Sequence, residues 1–258
     1  MPFCIDLSGR RALVTGAGRN VGRAIAAGLA EAGAEVVVND VVEKRALEVA
    51  AEIASSGAAA RAACFDVASW EESSRAVSQL APDILVNNAG NAGEADIASL
   101  LAPFVETGPS EWEPFVSVNL HGVLNCTRAA LPAMVERGWG RVVTVVSDAG
   151  RAPSSRLGAY AAAKAGAAGL MRALCRELGP AGVTLNAVSL GIIEPPAREG
   201  EDEGARRRTL ERLARPYAVP RLGRPEDVVG VVVLLASDLA SWVTGQTYPV
   251  DGGLSPAR

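Results

Sequence analysis

A single histidine, His121, stands among 258 residues, which leaves almost no room for a histidine-based catalytic triad or a histidine-rich metal site. The four cysteines, Cys4, Cys64, Cys126 and Cys175, are scattered and form no C-x-x-C pair. They are expected to be reduced, buried thiols in a cytoplasmic protein, and no metal is expected. No apolar run approaches the roughly 18 residues that a membrane span needs. The opening MPFCIDLSGRR has no basic segment followed by an apolar one, so no export signal is expected. A net charge of −4 lacks the basic footprint of a nucleic-acid binder.

What is present is a soluble-type composition, 49% hydrophobic, in a length that accommodates one domain with a full core. Strand and helix signals alternate. Strands are predicted at Ala12–Val14, Glu35–Asn39, Ala60–Phe65, Asp83–Val86, Arg141–Val146, Val183–Val188 and Thr247–Val250. Helices are predicted at Asn20–Ala32, Glu43–Ser56, Ser69–Leu80, Leu157–Gly179 and Pro225–Ala236. Continuous Val/Leu runs mark strands buried on both faces, hence a parallel sheet. The alternation predicts an α/β, doubly wound Rossmann fold, with a seven-stranded, mostly parallel sheet and helices on both faces. No repeat or low-complexity linker divides residues 1–258. The stretch 194–220 breaks the rhythm with prolines and charges and reads as a lid.

Two constellations carry chemistry. Thr15-Gly16-Ala17-Gly18-Arg19-Asn20-Val21-Gly22 joins the first strand to the first helix. Its glycines let the backbone approach a pyrophosphate, whose charge the helix N-terminus favours. Asp40, ending strand two, stands where a carboxylate accepts hydrogen bonds from an adenosine ribose. Second, Tyr160 and Lys164 lie four apart in YAAAK, on one face of a helix. A phenol with a pKa of about 10 needs roughly 4 kcal/mol of preference for the phenolate to work near pH 7. A fixed Lys charge and a cationic nicotinamide ring together supply such a preference. Ser147, thirteen residues before Tyr160 at the end of a Val-rich strand, is placed to hydrogen-bond a substrate oxygen.

With these residues in view, the chain resembles the short-chain dehydrogenase/reductase family over essentially its whole length. TGAGRNVG is similar to the family's phosphate loop. Asp66-Val67 resembles its adenine-contacting pair, and Asn87-Asn88-Ala89-Gly90 its NNAG turn. Asn119, in VNLHG, completes a tetrad with Ser147, Tyr160 and Lys164. The RLGRPEDV, Val243–Gln246 and VDGG segments are also similar. The resemblance implies an NAD(P)-dependent oxidoreductase that interconverts a secondary alcohol and a ketone. Tyr160 would be the general acid or base. Lys164 would lower its pKa and bind the nicotinamide ribose. Ser147 would orient the substrate oxygen, and Asn119 would hold a water leading from Lys164 to solvent. Asn88, Ala89, Gly90, Gly191 and Ile193 would line the cofactor, and the helix 158–170, rich in Ala and Gly, would build a homotetramer (or homodimer). The chain departs from the family pattern at Asn20, at Leu190 before Gly191, at Pro195, and in a long segment between Asn91 and Val118 that holds Phe104, Trp112 and Phe115.

Asp40 repels a 2′-phosphate, whereas Arg19 stands where some NADP-dependent relatives bind one. NAD is the expected cofactor and NADP the second candidate. The expected partner is a small-molecule substrate, with a hydroxyacyl or oxoacyl thioester as one form. An NADPH-dependent 3-oxoacyl-carrier-protein type of reductase is the alternative reading. Arg206, Arg207, Arg208, Arg212 and Arg215 of the lid are expected to balance Glu199, Glu201, Asp202, Glu203 and Glu211, in preference to binding a coenzyme phosphate. His121 is expected to pack. A non-catalytic nucleotide sensor is disfavoured by the intact Tyr160 and Lys164. A serine hydrolase is disfavoured because Ser147 sits in no G-x-S-x-G elbow.

Overall fold

The computed structural model describes residues 4–91, 102–197 and 200–255. Seven strands form one sheet: β1 (Arg11–Val14), β2 (Glu35–Asp40), β3 (Ala60–Cys64), β4 (Ile84–Asn87), β5 (Gly140–Ser147), β6 (Val183–Leu190) and β7 (Thr247–Val250). Their order is β3-β2-β1-β4-β5-β6-β7. Every neighbouring pair is parallel, so the expected mostly parallel sheet is parallel throughout.

The pleat sorts side chains onto two faces. Val14, Val36, Val38, Ile84 and Val86 point to one side, where α1 (Asn20–Glu31), α2 (Glu43–Ser55) and α8 (Pro225–Leu235) cover them. Leu13, Val37, Leu85, Val142 and Val146 point to the other, under α3 (Trp70–Leu80), α5 (Gly122–Arg137) and α6 (Gly158–Leu178). Both faces are therefore dry, which explains why the strands carry continuous aliphatic runs. The chain runs outward from β1 through β2 to β3, then returns to place β4 on the other side of β1. This reversal opens a crevice at the carboxyl ends of β1 and β4, the usual ligand position in such sheets.

Two helices between β4 and β5 have no counterpart in the sequence prediction: α4 (Pro109–Val116) and α5. Pro114 lies inside α4 and Pro132 inside α5, and both weaken a helical signal that tertiary packing then overrides. A five-residue π turn, Ser117–His121, joins them. His121 is exposed there, so the expected packing role does not hold. The cysteines also differ from expectation: all four are free, but only Cys126 is buried, while Cys4 and Cys64 are exposed and Cys175 is intermediate. In the lid, α7 (Glu203–Ala214) buries no residue, and Glu199 lies outside the described residues. Among the described residues no helix is long and apolar enough to cross a membrane.

Helices α1 and α8 approach closely because Gly28 offers no side chain, and a Cβ there would collide with Val229 Cγ1. Gly28→Ala is expected to lower stability by about 1–3 kcal/mol through overpacking, despite the better helix propensity of Ala. Adding Val229→Ala restores most of the loss. Urea unfolding of the two single variants and the double variant measures this, and additive losses would contradict the contact.

Candidate active site

The turn after β1 is held by side chains from the neighbouring strand ends. Thr15 Oγ1 accepts the amides of Asn88 and Ala89, each at 3.0 Å. Asn88 Nδ2 donates to the carbonyls of Thr15 (2.9 Å) and Gly16 (3.0 Å), and Asn39 Oδ1 accepts the Gly16 amide at 3.3 Å. Gly16 has φ +61, and a Cβ there would lie 2.7 Å from Ala89 Cα. Asn20 has φ +51, a left-handed conformation that Asn tolerates better than most residues, so the loop accommodates Asn at this position. Val21 and Gly22 fill the first turn of α1, with Gly22 buried against the turn and the Asn88 amide.

These residues fit a dinucleotide. Arg19, the N-cap of α1, makes no side-chain capping bond, so the first helical amides remain available to an anion. Asp40 is buried at the end of β2; its carboxylate accepts the Gly18 amide at 3.2 Å and the Val42 amide at 2.9 Å. A Cβ at Gly18 would fall 2.6 Å from Asp40 Oδ2, so the loop and the carboxylate share one wall. Beyond β3, Asp66 Oδ1 accepts the Ala68 amide at 2.9 Å, and Val67 is buried against Gly122. Across the crevice, Gly191 follows β6, and Ile193 forms a parallel bridge with Gly223.

The predicted tetrad converges from three elements. Ser147 ends β5, Tyr160 and Lys164 lie one turn apart on α6, and Asn119 occupies the π turn. Ser147 Oγ accepts the Ala149 amide at 3.2 Å and stands near enough to the Tyr160 phenol to lower its pKa. Lys164 is buried, donates from Nζ to the Val145 carbonyl at 3.0 Å, and lies 5.9 Å from the Tyr160 ring centroid. Asn119, fully buried, donates from Nδ2 to the carbonyls of Asn91 (2.7 Å) and Phe115 (3.0 Å). A Cβ at Gly90 would sit 3.1 Å from Asn119 Oδ1 and 3.3 Å from Lys164 Nζ, so only glycine leaves the space between these two groups open. π turns of this kind often mark functional sites because they aim one side chain out of helical register.

The electrostatics differ from the spacing argument. Burial pushes the Tyr160 phenol up, and the neighbouring Ser147 only partly opposes this. Burial also pushes the Lys164 amine down to about 8. The protein alone thus biases both groups toward neutrality, and Lys164 by itself does not acidify Tyr160.

The aromatic residues of the long segment and the lid arginines complete the surroundings. Phe115 meets the Tyr160 ring edge-on, with centroids 6.3 Å apart. Phe104 stacks on Trp112 at 5.2 Å and lies against Gly158, so part of the long segment after Asn91 walls the site; residues 92–101 of it lie outside the described residues. In the lid, Arg206 pairs with Glu194 (3.0 Å) and Glu201 (3.2 Å) and donates to the Pro195 carbonyl at 2.7 Å. Arg207 pairs with Glu211 at 3.8 Å, consistent with the expected internal balance of charge.

The family model described as Enoyl-(Acyl carrier protein) reductase matches residues 16–255. The chain is 35% identical over 256 residues to the 3-oxoacyl-[acyl-carrier-protein] reductase FabG of Aquifex aeolicus, covering 97% of this chain and 99% of that protein. It is 35% identical over 250 residues to the short-chain reductase protein NovJ of Streptomyces niveus, covering 94% and 92%. Its fold is similar to the crystal structure of a gluconate 5-dehydrogenase from Burkholderia cenocepacia J2315 in complex with NADP and tartrate, with a TM-score of 0.88, 34% identity and 98% of each chain covered.

Holding Lys164 at about 8, below its ordinary 10.5, costs stability at neutral pH, because the unfolded chain keeps a proton that the folded chain releases more readily. The cost is complete below about 8 and vanishes as pH rises past 10.5. Lys164→Met is therefore expected to gain stability relative to the parent at pH 7, by up to a few kcal/mol, with the gap narrowing as pH rises through the Lys164 range. Denaturant unfolding across that range measures it, and a gap independent of pH would refute the buried charge.

Proposed function

Because the chain belongs to the short-chain dehydrogenase/reductase family, as an oxidoreductase of CH–OH and oxo groups that works with a nicotinamide dinucleotide, we propose that it interconverts a secondary alcohol and a ketone at Ser147, Tyr160, Lys164 and Asn119. The observation that carries this reading is the convergence of those four side chains, from β5, α6 and the π turn, beside the Gly90 opening.

The nicotinamide ring, when bound, supplies the hydride acceptor or donor and a positive charge. Ser147 Oγ and the Tyr160 hydroxyl hold the substrate oxygen between them. In alcohol oxidation Tyr160 accepts the hydroxyl proton; in ketone reduction it returns one. Lys164 supports the phenolate, binds ribose hydroxyls, and passes the proton toward Asn119 and the Asn91 backbone. The loop Gly16–Gly22 receives the pyrophosphate, Asp66 and Val67 the adenine, and Asn88, Ala89, Gly90, Gly191 and Ile193 the nicotinamide half.

NAD is the proposed cofactor. A 2′-phosphate at the Asp40 site would face a buried carboxylate that already uses both oxygens on loop amides. Arg19 stands on the loop edge, where its charge returns less than that repulsion costs. The Burkholderia relative is described in complex with NADP, so the parent protein's choice is a direct test. The relatives' names extend the substrate proposal to 3-oxoacyl thioesters. The same reading makes residues 1–258 one NAD(P)-binding unit with a lid at about 194–220. It would work in the cytoplasm as a homotetramer or homodimer, which light scattering tests.

Turnover is measured by nicotinamide absorbance with both cofactors against simple ketones, acetoacetyl-CoA and gluconate. Tyr160→Phe is expected to lose at least about 100-fold in kcat while retaining NADH affinity. Undiminished turnover in that variant would overturn the mechanism. Fluorescence titration is expected to show tighter binding of NADH than NADPH in the parent. Asp40→Ser should shift the ratio toward NADPH by roughly tenfold or more. A parent that prefers NADPH would overturn the Asp40 argument.

A further inference from the structure

Directly after Ser147, the chain buries a carboxyl group that the reaction does not use. Asp148 is 5% exposed. Its Oδ1 accepts the Ser189 hydroxyl at 2.6 Å and Arg151 Nη1 at 3.3 Å. Its Oδ2 is fully enclosed and meets no donor. Leu190, at the end of β6, is in register with both Ser147 of β5 and Val250 of β7, so Asp148 and Asp251 follow adjacent strand ends on either side of β6. Asp251 is 7% exposed, and its two oxygens accept the amides of Gly253 and Ser255, each at 2.9 Å. Two ionised carboxyls in this place would repel each other and leave Asp148 Oδ2 unsatisfied, which a buried site rarely tolerates. A proton on Oδ2, donated to Asp251, removes both faults at once.

The pair sits at a junction of elements. Asp148 begins the turn after β5, Ser189 belongs to β6, and Asp251 follows β7. Tyr217, arriving from the lid, is wedged between Gly191 and Gly252, and its hydroxyl accepts the Ile192 amide at 2.7 Å. Asp251 and Tyr217 both line a cavity of about 350 Å³ walled by Gly191–Ile193 and by the Arg221–Asp227 ion pair. Of the pair, Asp251 lines this cavity, while Asp148 lies behind it.

We propose that Asp148 is a positioning residue that carries a proton shared with Asp251, and that this proton fastens the Ser147 end of β5 to the segment after β7 and, through Tyr217, to the Gly191–Ile193 floor. The proposal rests on the reading of Ser147 and of that floor given above. Burial holds the Asp148 carboxyl above the usual range, with the Ser189 hydrogen bond opposing it. Burial alone would raise Asp251 as well, but the hydrogen bond from Asp148 and those from the Ser255 and Gly253 amides outweigh it and hold Asp251 low. The groups facing the pair are Arg151, Ser189 and Tyr217, with Arg221 and Asp227 across the cavity; of these, Arg151 alone offsets a second negative charge on Asp148. The stability contributed by the held proton is present at low pH and is lost as pH rises through Asp148's raised range.

The full-length protein is tested by infrared spectroscopy, thermal melts over a pH series, and NADH fluorescence titration. The parent is expected to show the carbonyl stretch of a protonated carboxylic acid, which Asp148→Asn and Asp251→Asn each remove. An amide at 148 donates to Asp251 at any pH, so Asp148→Asn should lack the loss of Tm that the parent shows as pH rises through the Asp148 range, and bind NADH within about threefold of the parent at low pH. Asp148→Leu should weaken NADH binding by roughly tenfold at every pH, the scale of one lost charge-assisted hydrogen bond. Absence of the acid band in the parent, its survival in Asp148→Asn, or a Tm profile for that variant parallel to the parent's would overturn the proposal. The band and the melts involve no turnover, so their outcome is separate from that of the Tyr160 mechanism.

Discussion

Parallel pairing of β1 with both β2 and β4 sets the terms for everything at the carboxyl end of the sheet. Where these three strands stop together, their last amides and carbonyls lose ladder partners, and each one left buried and unpaired costs about 1–3 kcal/mol. Thr15, Asn39 and Asn88 take up those groups with short polar side chains. The same bonds press the Gly16 turn against Ala89 and leave the uncapped start of α1 facing the crevice. A nucleotide-binding shape is therefore a consequence of how the strand ends are satisfied, before any ligand is considered.

The tetrad follows from the next strand outward. β5 pairs with β4 over Arg141–Thr144 and with β6 along its whole length, and carries Ser147 to the rim. Its Val145 carbonyl then accepts the Lys164 ammonium, drawing α6 and Tyr160 over the strand end. This arrangement opposes stability: a buried cation hydrogen-bonded to a carbonyl is a poor structural element, and a phenol raised by burial gives up its proton reluctantly near neutral pH. Groups placed against their own solvation preferences cluster at functional sites, where a ligand's charge completes the balance. Asn119 behaves similarly, since a π turn exchanges regular helical bonding for the direction of one side chain.

The strands were legible because burial on both faces requires continuous aliphatic runs, and such runs are visible one residue at a time. Tyr160 and Lys164 were legible because helical spacing alone puts them on one face. The direction of their pKa shifts was not, because spacing carries no information on burial. Helices α4 and α5 were obscured by Pro114 and Pro132, whose local penalty is offset by contacts distant in sequence. Residue-type statistics misjudged His121, Cys4 and Cys64, since a residue's average preference does not say which face of an element it occupies. Asp148, Ser189, Asp251 and Tyr217 come from four separate stretches, so only folding reveals them as one cluster.

If Tyr160 is the reacting centre as proposed, substrate choice falls to what remains around it. The lid's Arg206 is committed to Glu194, Glu201 and two backbone carbonyls, which leaves it little capacity to recognise a phosphate. Beside Tyr160 the surroundings are aromatic: Phe115 meets its ring edge, and Phe104 is stacked on Trp112 over Gly158. An apolar wall discriminates by only about 1–3 kcal/mol per methylene, whereas a site that hydrogen-bonds a substrate group rejects its absence far more strongly. Selection along this face therefore grades substrates by size and shape. On the proposed reading, strict selection comes from the polar end of the crevice, where Ser147 and Tyr160 would hold one oxygen.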